Sequence, residues 1–282
     1  MKKLVALMLV GAMTAAMVTG CGSSADTSAS TDAAEDTAAD AEATEDTAEA
    51  AEDTAADAKS DLAYVKEKGT LVVGITEFEP MDYKDENGEW IGFDADMAKA
   101  FAESLGVTAE FQVIDWDNKI LELEGKTIDC VWNGMTLTDE VTSAMECTNA
   151  YLNNAQVVVV PADVADQYQD EESLKDLSFA VEAGSAGEAE VSALGLNYTP
   201  VSSQADALME VASKSSDAAV IDSLMAGAMI GEGTGYADLT YTIGLNSEEY
   251  GVGFRKGSDL AAALNDYFTT SLEDGSMEKV AE

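Results

Sequence analysis

The sequence predicts an α/β fold in which buried strands feed helices. Three observations carry that prediction. Short apolar runs stand at residues 71–75 (Leu-Val-Val-Gly-Ile), 155–160 and 218–221, the composition of strands covered on both faces. Stretches with helical apolar spacing lie between them, as at Ala95, Met97, Ala98, Phe101 and Leu105. Residues 129–138 (Asp-Cys-Val-Trp-Asn-Gly-Met-Thr-Leu-Thr) read as strand, loop and helix start. Asn133-Gly134 is expected to break that strand, because glycine tolerates backbone angles that other residues avoid. Thr138 is placed to cap the helix, with Asp139 and Glu140 in a first turn where the helix dipole favours acids.

The chain begins with Lys2 and Lys3, then an apolar run over residues 4–18 that is short for a membrane span. It ends in Val18-Thr19-Gly20-Cys21, the form of a bacterial lipobox. Residues 1–21 are therefore expected to be a lipoprotein signal peptide, with cleavage before Cys21 and acylation of its thiol by chains such as palmitate. Two or more acyl chains there would hold the protein stably on a membrane. Residues 22–60 repeat Glu-Asp-Thr-Ala-Ala-Asp-Ala at 35–41 and 52–58, and hold 12 acids against the single Lys59. With no aromatic or large aliphatic residue this stretch cannot offset its chain entropy, so a disordered, charge-extended linker is expected.

Residues 61–282 remain for one large domain or two lobes. The chain has 14 basic and 55 acidic residues, a net charge of −41. That balance excludes nucleic acid as a partner and favours cationic or zwitterionic solutes. There is no histidine, and beyond Cys21 only Cys130 and Cys147 remain. A zinc site and a histidine-activated nucleophile both lack their ligands, so no metal, cofactor or catalytic residue is expected. The two cysteines are expected to be free thiols rather than a disulfide.

In order, residues 71–75 are the first strand and residues 76–81 leave it as a loop. Asn87-Gly88, between residues 81–83 and 90–93, marks a hairpin turn. A calcium loop at Asp85–Glu89 would need a fuller spacing of acidic ligands. A helix from Asp94 ends at Gly106, residues 107–114 make a second strand, and a helix begins at Lys119. Residues 155–161 read as a first crossover between lobes, and residues 178–181 as the first strand of the second lobe. Ser185 and the N–H groups of Ala186 and Gly187 form a turn suited to an anion. Strands follow at 198–201 and 218–221, with a helix between. Asp222 then stands at the end of a buried run, where a carboxylate points into the crevice of an open sheet or caps the next helix. Residues 238–245 are expected to return the chain to the first lobe, 250–254 to be its last strand and 260–272 its last helix.

Several of these pieces, in this order, carry a resemblance: Gly74-Ile75-Thr76-Glu77-Phe78-Glu79-Pro80, Gly92-Phe93-Asp94-Ala95-Asp96, Lys126-Thr127-Ile128-Asp129, residues 133–138, residues 181–188, Asp217–Asp222 and Tyr250–Gly257. The chain resembles extracellular solute-binding protein family 3, the polar-amino-acid receptors of ABC importers. The resemblance implies a two-lobed periplasmic-binding-protein type 2 fold with two hinge crossovers. Lobe 1 would hold residues 61–157 and 245–282, and lobe 2 residues 158–244. It implies an aromatic sandwich from Phe78 and Trp116. Gly134 and Thr136 would offer a carbonyl and a hydroxyl, Ser185 a polar contact, and Asp222 would hold the α-ammonium. It also implies a monomer that meets an importer permease outside the cytoplasm, and relatives that continue a little past this C-terminus.

One departure stands out. After Thr136-x-Thr138-x-Glu140 the family places an arginine on the solute's α-carboxylate, and here that position is Val141. The sole arginine of the chain is Arg255, in a context that reads as structural. Either backbone N–H groups and hydroxyls hold a carboxylate, or the solute is an amine or cation without one. A dehydratase of the same fold is the enzymatic alternative, and a sensory domain a third.

Overall fold

The computed structural model describes residues 60–281. The expected signal peptide with Cys21 and the expected linker up to residue 59 lie outside the described residues. The first part of the described chain runs α1 (Asp61–Lys68), β1 (Thr70–Ile75), the hairpin β2 (Tyr83–Lys84) and β3 (Trp90–Ile91), α2 (Phe93–Leu105), β4 (Thr108–Val113), α3 (Lys119–Glu124), β5 (Cys130–Thr136), α4 (Asp139–Ala144), β6 (Met145–Cys147) and β7 (Leu152–Asn154). Next come β8 (Gln156–Pro161), β9 (Ser178–Glu182), α5 (Ala186–Ala193), β10 (Asn197–Val201), α6 (Gln204–Ala212), β11 (Ala218–Asp222), α7 (Ser223–Met229) and β12 (Leu239–Gly244). The chain closes with β13 (Glu248–Arg255), α8 (Leu260–Glu273) and α9 (Ser276–Val280).

Among the described residues two large sheets result, one in each lobe, besides the two-stranded β2-β3 hairpin. The first has strand order β4-β1-β5-β13-β6, with β7 also pairing β13, and the second β10-β9-β11-β8-β12. In each, three parallel strands are followed by antiparallel ones: β4, β1 and β5 in the first, β10, β9 and β11 in the second. In the first lobe α2 and α8 bury Met97, Phe101, Leu264 and Phe268 against β1, β5 and β13. Burying each such side chain contributes about 1.5–3 kcal/mol. Trp132 lies in this core at 0% exposure, edge-on to Phe268, so it is packing and not a solute wall. In the second lobe α6 and α7 cover one face of the sheet, and α5 with Leu174 the other.

The change of lobe occurs later than expected in one place and earlier in another. The β-branched run read as a crossover is itself a strand, β8, in the middle of the second sheet, because it pairs β11 and β12. The step between lobes is the single residue Ala155. Likewise β12 is the edge of the second sheet, and the chain returns only at residues 245–247. The two connections lie side by side. Gln156 N–H donates to the Asn246 side chain at 2.7 Å, and Leu245 N–H to the Gln156 carbonyl at 2.8 Å.

Asn133-Gly134 does not end its strand either. β5 runs through to Thr136 with an irregularity in its pairing to β13, where Gly134 takes φ +55°. Asn133 explains why the backbone turns without breaking. Its side chain receives the Thr76 N–H at 2.9 Å and donates to the Thr76 carbonyl at 3.0 Å, replacing ladder bonds that the bulge removes. Cys130 and Cys147 are both free, on strands separated by β13, and burial pushes both thiols up. Arg255 is structural, as its context suggests: it donates to Asp61 at 2.9 Å and to Asp129 at 3.4 Å, and Lys68 also pairs with Asp129.

Candidate functional site

The parallel strands of both sheets end at one cleft, of about 280 Å³. That is where open α/β sheets bind ligands, because helices feed off the strand ends and leave side chains and N–H groups facing a crevice. The bulged end of β5 contributes Asn133, Gly134, Met135 and Thr136. From the second sheet come Glu182 and Asp222, the last residues of β9 and β11. Trp116, Lys119 and Val141 from the first lobe and Ser185 and Ala186 from the second complete the walls. The volume is at the small end for ligand pockets and suits a solute of metabolite size.

Asp222 is 4% exposed. Its carboxylate accepts from Tyr250 Oη at 2.6 Å and Gln156 Nε2 at 2.9 Å, and from the Asn154 and Gln204 side-chain amides. It occupies the capping position of α7 but makes no capping bond, so the crevice reading of this residue describes its side chain better than the helix-cap reading. Burial first, and then Glu248, raise its pKa to about 7. Glu248 shares the same amides: its Oε1 accepts from Asn154 at 2.7 Å, Gln156 at 2.8 Å and the Thr136 hydroxyl at 3.0 Å.

Glu182 is a cleft residue that sequence reasoning missed. It is 3% exposed, and its Oε1 has no hydrogen-bond partner. Burial and the nearby Asp222 raise its pKa to about 8. The signal was present: an acid directly after the buried run Phe179-Ala180-Val181 repeats the pattern of Asp222 after Ala219-Val220-Ile221. Lys119 was missed as well, having been read only as a helix start.

The structure brings five of the six sequence-predicted residues, Trp116, Gly134, Thr136, Ser185 and Asp222, to this cleft. Besides Asp222, and Thr136 with its bond to Glu248, two more of them already have partners. The Gly134 N–H donates to buried Asp94 at 2.7 Å, which leaves its carbonyl for a solute, and the Ser185 hydroxyl accepts from Glu188 N–H at 3.1 Å as the cap of α5. Phe78 is not brought to the cleft. Its ring is 2% exposed and edge-on to Tyr250. A Cβ at Gly134 would stand 2.5 Å from that ring, so the missing side chain is what lets Phe78 settle behind the strand. Trp116, 8% exposed, is then the aromatic wall. Val141 lines the cleft at 4% exposure and presents only methyl groups.

The lobes meet beside this cleft. Gly184 has φ +71°, and a Cβ there would lie 2.6 Å from the Asp117 Cα of the other lobe. Among the described residues no group of His, Cys, Asp and Glu has the arrangement of a metal site, and no helix is long and apolar enough to cross a membrane.

Comparison with known proteins agrees with the fold. The family model described as bacterial extracellular solute-binding proteins, family 3, matches residues 71–282. The L-cystine-binding protein TcyJ of Escherichia coli (strain K12) is 26% identical over 222 residues, covering 77% of this chain and 83% of that protein. Among solved structures, a P235GK mutant of ArgBP from T. maritima is 32% identical with a TM-score of 0.73, covering 78% of this chain and 96% of the other. An ancestral amino acid-binding protein, AncCDT-1, a precursor of cyclohexadienyl dehydratase, is 32% identical with a TM-score of 0.72, covering 78% and 97%.

Proposed function

The chain belongs to the bacterial extracellular solute-binding proteins of family 3, and on that premise we propose that it is the amino-acid receptor of an ABC importer. It captures one solute between its lobes and hands it on unchanged. The observation that carries the reading is the meeting of two carboxylates, Asp222 and Glu182, with the amides and hydroxyls of the opposite lobe in one small cleft. The acids suit the solute's ammonium, with Asp222 as its anchor. Thr136, the Gly134 carbonyl and Ser185 supply polar contacts, and Trp116 the apolar wall. A solute touching both lobes stabilises the closed arrangement by its differential affinity for it. Lipid anchoring through Cys21, the acidic linker as tether, and a monomeric state belong to the same proposal.

A second reading has one observation in its favour. The apolar Val141 in the wall fits a solute with no carboxylate, such as an alkyl amine or quaternary cation held by Asp222 and Trp116. A thermal-shift screen of amino acids against carboxylate-free amines separates the two. A ligand at a hundred times its Kd adds about 2.7 kcal/mol, which moves the midpoint by roughly 5–10 °C. A shift with amino acids supports the first reading, and a shift with amines alone replaces it with the second. No product is expected from cyclohexadienyl acids, and product formation would make the chain an enzyme.

A further inference from the structure

Among the described residues Lys119 is the only base that lines the cleft, and the roles proposed above do not use it. Two bases are buried among the described residues, Lys119 at 8% exposure and Arg255 at 9%. Arg255 has two carboxylates. Lys119 has none within 4.0 Å among the described residues. Its ammonium folds back over the Trp116 ring, 5.1 Å from the centroid. It donates to the Gly184 carbonyl of the other lobe at 2.8 Å and to the Trp116 carbonyl at 3.2 Å. An ammonium has three donors, so one is unspent.

A buried charge without a counter-ion is costly, and folded proteins rarely keep one unless something else pairs with it. Desolvation lowers the pKa of Lys119, while Glu140, Glu182, Asp117 and Glu188 act on it from farther away in the opposite sense. Carbonyl dipoles and an aromatic face hold the ammonium in place without neutralising it. What this ammonium lacks is an anion at ion-pair distance, and the cleft it faces is where a solute enters.

We propose that Lys119 is the counter-charge for the carboxylate of the captured solute, so that the cleft takes a zwitterion rather than a bare amine. The inference rests on the solute-receptor reading and decides between its two forms. The cation then comes from the start of α3 and not from position 141 on α4. The bond from Lys119 to Gly184 adds a consequence: the group that meets the solute's carboxylate also bridges the lobes, so that recognition and closure share one side chain.

The test is isothermal titration calorimetry on the purified full chain with paired probes: L-arginine and agmatine, L-lysine and cadaverine, L-histidine and histamine, L-cystine and cystamine. For the amino acid that the unsubstituted chain binds, K119M is expected to lower affinity by roughly 10- to 100-fold, the worth of one charge-assisted contact. The decarboxylated partner should change by less than about threefold, and K119R should keep the amino acid within about fivefold. K119Q, which keeps a donor without the charge, should behave as K119M and serves if K119M melts before it can be titrated. An equal loss for both members of a pair, or no loss, overturns the inference. D222N separates this from failure of the reading beneath it. If D222N loses affinity and K119M does not, only the role of Lys119 falls. If the unsubstituted chain binds no amino acid, or D222N binds as well as it does, the receptor reading falls too.

Discussion

Two sets of buried charge in this molecule are built to opposite rules. Behind the first sheet, Arg255 and Lys68 face Asp61 and Asp129, each cation against a carboxylate. At the cleft, Glu182 has an oxygen with no partner, Lys119 has no carboxylate within 4.0 Å among the described residues, and Asp222 is surrounded by neutral amides and a phenol. The first set is closed upon itself and ties α1 to the sheet. The second leaves its ionisable groups without a partner of opposite charge in a space that a small molecule can fill. Buried charge serves the fold where it is matched, and it serves binding where the match is left to a solute.

The largest effect expected from breaking this contrast lies in the closed set. Arg255→Met leaves Asp61 without its cation and Asp129 with Lys68 alone, and should destabilise the protein by about 3–5 kcal/mol in urea unfolding. The affinity of the folded fraction for its solute should be unchanged, and a parallel loss of affinity would contradict the separation of the two sets. Next comes Asp222→Asn, which should cost about 2 kcal/mol of binding, roughly thirtyfold in Kd by calorimetry. A Kd within experimental error of the unsubstituted chain would remove Asp222 from the site.

Glu182 sharpens the comparison through pH. Its folded pKa of about 8 lies above the ordinary glutamate value of 4.5. The folded empty protein therefore holds a proton that the unfolded chain has released. Stability from this group is full below about pH 4.5 and declines as pH rises to about 8, by up to about 1.4 kcal/mol per pH unit. The solute-free Glu182→Gln variant should show a shallower fall of Tm between pH 5 and 8, and identical slopes would mean that Glu182 does not hold its proton. The smallest effect is expected at the lobe contact. Gly184→Ala strains a left-handed backbone and meets Asp117, so affinity should fall by about 1 kcal/mol, with the separate lobes still folded by circular dichroism.

Much of this was legible in the sequence, and the misses have physical causes. The parallel strands and their helices followed from apolar runs, since a strand covered on both faces has no choice of composition. Asp222 was legible because an acid ending such a run can only point outward. Glu182 had the same signature, an acid directly after a buried run, but it reads as the start of a loop, and the resemblance assigns a role to Asp222 and none to it. Lys119 gave no local signal: its defining contact, with Gly184, is 65 residues away, and a lysine opening a helix reads as solvated. The placement of Phe78 turned on the absence of a side chain at Gly134, a steric fact about a residue far along the chain. The runs at 155–161 and 238–245 read as crossovers although β8 and β12 pair within the second sheet, because pairing is not written in periodicity.

The two connections between the lobes, Ala155 and residues 245–247, are tied together through Gln156, the next residue of the first, and act as a ribbon two strands wide. A ribbon folds readily across its flat face and resists both twisting and edgewise bending. Any opening of the cleft therefore has close to one mechanical degree of freedom. A single distance between one label on each lobe would report the whole movement, and a solute that halts the swing partway would be recognisable by its position on that one scale.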